Sequence, residues 1–372
     1  LFDRFYDEFP DANILAVYPE KRIREESINF NNKNLKTKVT KTASKDTNTY
    51  DVILIDELQY VTNPETLNNK VLKIPCKFKF GNGAILENNQ KKELEKNGID
   101  HCFYLDEFDA IELGIIPKFE IKNIKINLTF QEIQKYVKIQ NELKEAVDFL
   151  YPVYKEKSLG MVFSLVDKKN KMLLKKTAES LCTDDFQITE GQLMGKLLKY
   201  IKLISERKEL LKSAFNKFEA LKKIVEINKL KKGIIFTHTQ SVADKICKIL
   251  GNSSIVYTSS TPEKNVKDFI NGKFNQLIVV GKANVGNIDN SLEYAIHVSC
   301  ESTIVRSKQK RGRTLGIDKN NQDKNSINYY LYIDDFFIGE DLIESQEKKW
   351  LKNNQKNSMF IDYLTLDELI VV

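Results

Sequence analysis

The chain has 372 residues, 41% hydrophobic and 30% charged, which excludes a single small module and a disordered polymer, since the length suits two or three domains of roughly 150 residues. Fifty-eight Lys and Arg against 52 Asp and Glu leave a net charge of +6, which suits a polyanionic partner without establishing one. No apolar run reaches the roughly 18 residues of a membrane span, and the first residues lack the basic-then-apolar order of a secretory signal, so neither spanning nor export is expected.

Residues 1–125 alternate helical and strand patterns. LFDRFYDEF is amphipathic, NILAVYP is a short apolar strand and TYDVILIDE is another. The strands are unbroken apolar runs, as parallel strands buried on both faces are. From Thr129 to Lys232 the pattern turns helical, opening on the Thr129/Glu132 spacing of a capping box. Its later part, from Lys196 to Lys232, carries twelve Lys/Arg against four Glu with apolar residues three and four apart, which reads as the solvated basic face of amphipathic helices. Strands and helices then alternate again: GIIFTH, SVADKICKIL (a helix), SSIVYT, QLIVVGK, YAIHVS and INYYLYI, before a charged C-terminal helix and tail. The expected boundaries are a first α/β domain at 1–125, a helical linker or insertion at 126–215, a second α/β domain at 216–340 and a tail at 341–372.

Five cysteines stand singly without a CxxC pair, and three histidines are isolated, so neither a disulfide framework nor a protein-built metal site is expected. The run TYDVILIDELQ is the most informative. Val52 to Ile55 deliver Asp56 and Glu57 to the carboxyl end of a parallel strand, the edge where open α/β sheets bind ligands. In nucleotide hydrolysis Asp56 would hold magnesium through its water shell, and Glu57 would orient or deprotonate the attacking water. An ordinary strand ending in a solvated acidic turn is the alternative.

Taken in order, DELQ, FTHTQ, VYTSSTPEKN, GNID and QKRGRTLG resemble the motor core of superfamily 2 helicases, and more narrowly phage-type DNA helicases. DELQ then corresponds to motif II, FTHTQ to motif IV, GNID to motif V and QKRGRTLG to motif VI. The resemblance covers most of the chain and rests on order and spacing. It implies two RecA-like parallel-sheet domains, the first incomplete, separated by a long helical segment. It also implies ATP and Mg2+ as cofactors and single-stranded or forked DNA as partner, for a protein expected to be monomeric and cytoplasmic in a bacterial or phage-infected cell. The catalytic set carried over is Asp56, Glu57 and Arg311 or Arg313, the arginines facing Asp56 across a cleft. Nucleotide contacts fall to Gln59, Gly286, Asp289, Gln309 and Gly312, and nucleic-acid contacts to Pro19, Lys21, Arg22, Thr237 and Thr258.

Four departures accompany the resemblance. The phosphate-cradling GxxxxGK loop followed by Ser or Thr is missing, and the expectation is that it precedes Leu1. Gly191 to Leu197 is one residue short of that loop and lies in a helical pattern. The turn of motif III is Gly81-Asn82-Gly83-Ala84, without hydroxyls. Asp289 falls three positions after Gly286 where the family has two, and the last arginine of motif VI is replaced by Gly316. These losses keep a second expectation open, a degenerate helicase-like module that binds nucleic acid or a partner without hydrolysis. Asp106 and Glu107 are read as surface acids, Trp350 as a packing anchor, and His238 as the histidine that faces the cleft.

Overall fold

The computed structural model describes residues 12–18, 35–56, 58, 61–83, 88–100, 105–154, 171–182, 188–258, 260–262, 264–281, 290–316, 318, 321, 324–356, 358 and 360–369. Contacts divide the chain into two units, Leu1–Asp106 and Glu107–Val372. The amphipathic opening segment LFDRFYDEF lies outside the described residues.

The first unit contains β1 (Ile14–Tyr18), β2 (Leu35–Val39), α1 (Thr40–Ala43), β3 (Tyr50–Ile55), β4 (Cys76–Gly81) and α2 (Asn88–Lys96). Its strands form one parallel sheet in the order β2-β1-β3-β4. Alternation splits the apolar run of β3 between the two faces: Ile53 and Ile55 pack with Val71, Leu72 and Leu94, whereas Val52 and Leu54 pack with Ile14. That two-sided burial is what an unbroken apolar run signals. β4 departs from it, with Phe78 60% exposed.

The second unit opens with α3 (Glu107–Glu112), β5 (Lys118–Ile126) and a helical series of α4 (Phe130–Tyr154), α5 (Lys171–Leu181), α6 (Glu190–Lys212) and α7 (Phe215–Ile227). It continues through β6 (Gly233–Thr237), α8 (Gln240–Leu250), β7 (Ser254–Tyr257), α9 (Lys264–Ile270), β8 (Gln276–Val280), β9 (Tyr294–His297), α10 (Ile304–Arg311) and β10 (Asn325–Ile333). A hairpin of β11 (Phe336–Ile338) and β12 (Asp341–Ile343), then α11 (Gln346–Asn354) and β13 (Ile361–Thr365), follow. Seven strands form a parallel sheet in the order β13-β5-β10-β9-β6-β8-β7. Ile235, Ile278, Ile296 and Leu331 face α4, α6, α7 and α8, while Ile234, Phe236, Leu277 and Val279 face Phe269 and Leu292.

Two strands join this sheet from opposite ends of the unit. β5, which a boundary at residue 125 leaves with the first domain, pairs with β10 and β13. The helical series therefore lies between two strands of one sheet, β5 and β6. α4 starts on the capping box read from the sequence: Thr129 N–H donates to Glu132 Oε2 at 2.8 Å and Glu132 N–H donates to Thr129 Oγ1 at 3.3 Å. The helix α6 opens on a second such box, Thr189 with Gln192, and contains Gly191 to Leu197, so those residues form regular helix and no phosphate loop.

The C-terminal segment is locked in place by buried polar pairs. Lys217 of α7 is fully buried and its Nζ donates to Glu347 Oε1 and Oε2 at 2.9 and 2.8 Å. Glu347 Oε2 also accepts from the Ile333 amide at 2.9 Å. Asn123 of β5 and Gln355 exchange reciprocal amide hydrogen bonds of 2.7 and 3.0 Å. Trp350 packs against the cluster of Phe119, Ile121, Tyr330 and Leu351, an anchor as expected. Among the described residues no helix is long and apolar enough to cross a membrane.

Candidate functional site

In the first unit the site begins where β3 stops. β3 lies between β1 and β4, and the Asp56 amide donates to Val17 O at 2.9 Å, which holds Asp56 half-buried at the carboxyl edge of the sheet. The segments leaving β3 and β4 are tied together: Asn82 N–H donates to Ile55 O at 3.1 Å and Leu58 N–H donates to Asn82 O at 2.7 Å. A Cβ on Gly81 would fall 2.4 Å from Leu58 Cδ2, so the approach of the DEL segment requires glycine there. The segments expected to be motifs II and III thus meet through backbone and a leucine. Glu57, Gln59, Pro19, Lys21 and Arg22 lie outside the described residues. Among those described, no group of three or more His, Cys, Asp or Glu gathers around a metal position. Magnesium bound with a nucleotide does not need one, because it takes one or two carboxylates, waters and phosphate oxygens. A carboxylate such as Asp56 at a sheet's carboxyl edge fits that donor set.

In the second unit the corresponding edge lies beyond β6 and β9. Thr237, expected to touch nucleic acid, is 1% exposed, and its hydroxyl turns inward to Val279 O and Thr239 O, both at 3.4 Å. The next residue, His238, has a side chain 23% exposed. Its Nδ1 lies 2.7 Å from Ser299 Oγ and its Nε2 lies 3.4 Å from Glu301 Oε1. Glu301 also receives Lys310, whose ammonium sits 5.2 Å above the Phe236 ring. Burial alone raises the Glu301 carboxyl, but the His238 hydrogen bond and the Lys310 ammonium outweigh it and hold it well below the usual carboxylate range. Beneath this cluster His297 stacks between Phe236 and Tyr330, with centroids 5.2 and 4.1 Å away. Burial, reinforced by the Lys310 charge, pushes its imidazole down to about 3. Thr258 closes a hydroxyl turn with Ser260 and Thr261 at 3.0 and 2.8 Å. Gly286 and Asp289 lie outside the described residues.

Motif VI spans the end of α10 and the turn that follows. Gln309 and Arg313 are half-buried and Gly312 is exposed. Arg311 is different: it is 1% exposed, the largest of the fully buried side chains. Its Nη2 donates to Glu107 Oε1, its Nη1 donates to Ser358 Oγ at 3.1 Å, and its guanidinium lies 5.6 Å over the Phe119 ring. Glu107, its side chain 25% exposed, is thereby the counter-ion of the buried Arg311 and not the unpaired surface acid expected from the sequence. Gly316 is also fixed by its surroundings. A Cβ there would meet Asn290 Oδ1 at 2.3 Å, and Lys324 Nζ donates to Gly316 O at 2.8 Å and Asn290 O at 2.7 Å.

Carboxylates meet part of the basic stretch from Lys196 to Lys232. Lys199 pairs with Glu142, Lys202 with Glu206, Lys217 with Glu347, Lys222 with Glu219 and Lys229 with Glu226. Lys223 donates to Leu366 O and Lys232 to Ile270 O. Glu107, His238, Ser299, Glu301 and Lys310 are the site residues that sequence reasoning did not assign. Of these only His238, placed directly after a strand in FTHTQ, carried a local signal.

No protein-family model matches the sequence, and no curated protein is similar to it. Solved structures are similar in fold. The Pyrococcus furiosus Hef helicase domain matches over 95% of this chain and 92% of its own length, with 14% identity and a TM-score of 0.52. S. cerevisiae Dbp5 bound to RNA and ADP BeF3 matches over 96% of this chain and 78% of its own, with 9% identity and a TM-score of 0.51. The parallel α/β sheets of this chain have the RecA-like fold of these helicase structures.

Proposed function

We propose that the chain is the motor region of an ATP-dependent DNA helicase or translocase of superfamily 2, of the phage type, acting on single-stranded or forked DNA. The observation that carries this reading is Asp56, held at the carboxyl edge beside the central strand β3 with the motif III turn bonded to its flank. Asp56 would hold magnesium with ATP, whose metal screens the phosphate charge. Glu57 would orient the attacking water, and Arg313 would supply positive charge to the transferring phosphoryl group. Of the two arginines the reading takes Arg313, because Arg311 is 1% exposed whereas Arg313 is only half-buried. Lys21, Arg22 and Thr258 remain the proposed phosphate contacts; Thr237 is reassigned to holding β6 against β8.

The test is hydrolysis of ATP by the natural protein in the presence of single-stranded DNA. Glu57→Gln is expected to reduce turnover strongly while sparing ATP binding, and Arg313→Ala to reduce it by about 10³ or more. Turnover indifferent to both substitutions overturns the reading. The second reading, a binding module without hydrolysis, is favoured by Gly316, which stands in place of the family's arginine and where a side chain would require Asn290 to move. It predicts DNA binding with no turnover in any form of the protein. Neutralising Lys21 and Arg22 together is expected to flatten the log-log salt dependence of DNA binding by about 0.7 for each phosphate that is no longer neutralised.

A further inference from the structure

Arg311 ends α10, and the turn that carries Arg313 starts at the next residue. The far side of that turn is pinned to β10: Ser326 Oγ donates to Thr314 O at 2.7 Å and Asn328 Nδ2 donates to Thr314 Oγ1 at 3.1 Å. The near side is anchored by Arg311, whose main-chain oxygen accepts from Thr314 Oγ1 at 3.0 Å and whose side chain runs inward to Glu107. Glu107 is the first residue of the second unit and of α3, 204 positions away in sequence. Its Oε1 takes Arg311, with Lys308 Nζ 3.9 Å from the same oxygen, and its Oε2 is buried with no hydrogen-bond partner. A buried guanidinium that loses its counter-ion is strongly unfavourable and has to move toward water. Because the anchor and Arg313 share one short turn, such a movement displaces Arg313.

From this geometry we infer that Glu107 is a positioning residue for Arg313, acting through the buried Arg311 to fix the motif VI turn. The role of Arg313 rests on the helicase reading above; the mechanical link from Glu107 to the turn does not. Glu107→Gln keeps the shape of the side chain and removes its charge.

Amide hydrogen exchange on the 372-residue chain tests the link directly. Glu107→Gln is expected to speed exchange at Gly312 to Leu315 at least tenfold, while β6 keeps its rates. Rates at the turn within twofold of wild type, or an equal acceleration throughout the second unit, overturn the inference. If Glu107→Gln does not fold, the pair Glu107→Met with Arg311→Met removes the acid and the buried guanidinium together. The paired variant is expected to fold with exchange at the turn within twofold of wild type, because no guanidinium is left to move, and a tenfold acceleration there overturns the inference. In the natural protein Glu107→Gln should lower kcat about tenfold and leave KM for ATP within twofold. A loss of kcat that merely follows the fraction unfolded counts against it. A wild-type protein without turnover sinks the helicase reading alone, and the exchange experiment then decides the link by itself.

Discussion

The two sheets are built from the same kind of strand, and each leaves one edge strand largely open, β4 in one and β13 with Tyr363 54% exposed in the other; they differ in what the helices over them bury. In the seven-stranded sheet the central strands β6, β8 and β9 are covered on both faces, and the edge strand β13 is itself followed by a turn whose Glu368 accepts from Thr365. In the four-stranded sheet β3 is covered on both faces, but its neighbour β4 reads KFKFG and leaves Phe78 and Phe80 in the open. A strand's own pattern therefore tells how deep it sits only when the elements over it are known. The second unit also holds, on its helices, what the first lacks among the described residues: a fully buried lysine and a fully buried arginine, whose partners come from distant parts of the chain.

Breaking that difference at its strongest point means removing one half of a buried ion pair. Lys217→Met leaves Glu347 charged in the interior and is expected to cost about 3–5 kcal/mol, lowering the urea midpoint of the second unit and leaving the first unchanged. An effect under about 1 kcal/mol would mean that the pair is not buried in solution.

The buried His297 makes the seven-stranded sheet sensitive to acid. Its folded pKa of about 3 lies below the 6.5 of an unfolded imidazole, so the unfolded chain binds a proton that the folded chain does not. Stability contributed above pH 6.5 is therefore lost as pH falls from 6.5 toward 3, by up to about 1.4 kcal/mol per unit. Glu301, held low by His238 and Lys310, adds a further loss below the usual carboxylate range. Urea midpoints measured from about pH 7 to about pH 4 should show this slope, and His297→Phe, which keeps the stack on Tyr330, should flatten its upper part.

Packing alone is probed at the start of β6, where a Cβ on Gly233 would lie 2.2 Å from Tyr294 Cζ. Gly233→Ala is expected to cost about 1–3 kcal/mol, read as a fall in Tm of the second unit. The smallest effect belongs to the shallow edge: Phe78→Ser should change stability by about 0.5 kcal/mol or less, because the ring is already in water. A larger loss would show that β4 is covered in solution.

Much of the fold was legible in the sequence because its signals are local. The apolar runs of β1, β3, β6, β8 and β9, the Thr129/Glu132 cap and the helix from Gln240 to Leu250 each depend on residues within one element, whose periodicity and capping chemistry act over a few positions. So did the placement of Asp56, since a parallel strand delivers its next residue to the carboxyl edge wherever it sits. β5 and β13 were not legible as members of the second sheet, because strand partnership in a parallel sheet is set across long crossovers. The same distinction separates Arg311 from Arg313. As residues of one motif, two positions apart, they carry the same charge and the same local pattern. Only the tertiary structure buries one against Glu107 and leaves the other half-exposed, because the cost of desolvating a guanidinium is met by whichever carboxylate the fold brings to it, here from 204 residues away.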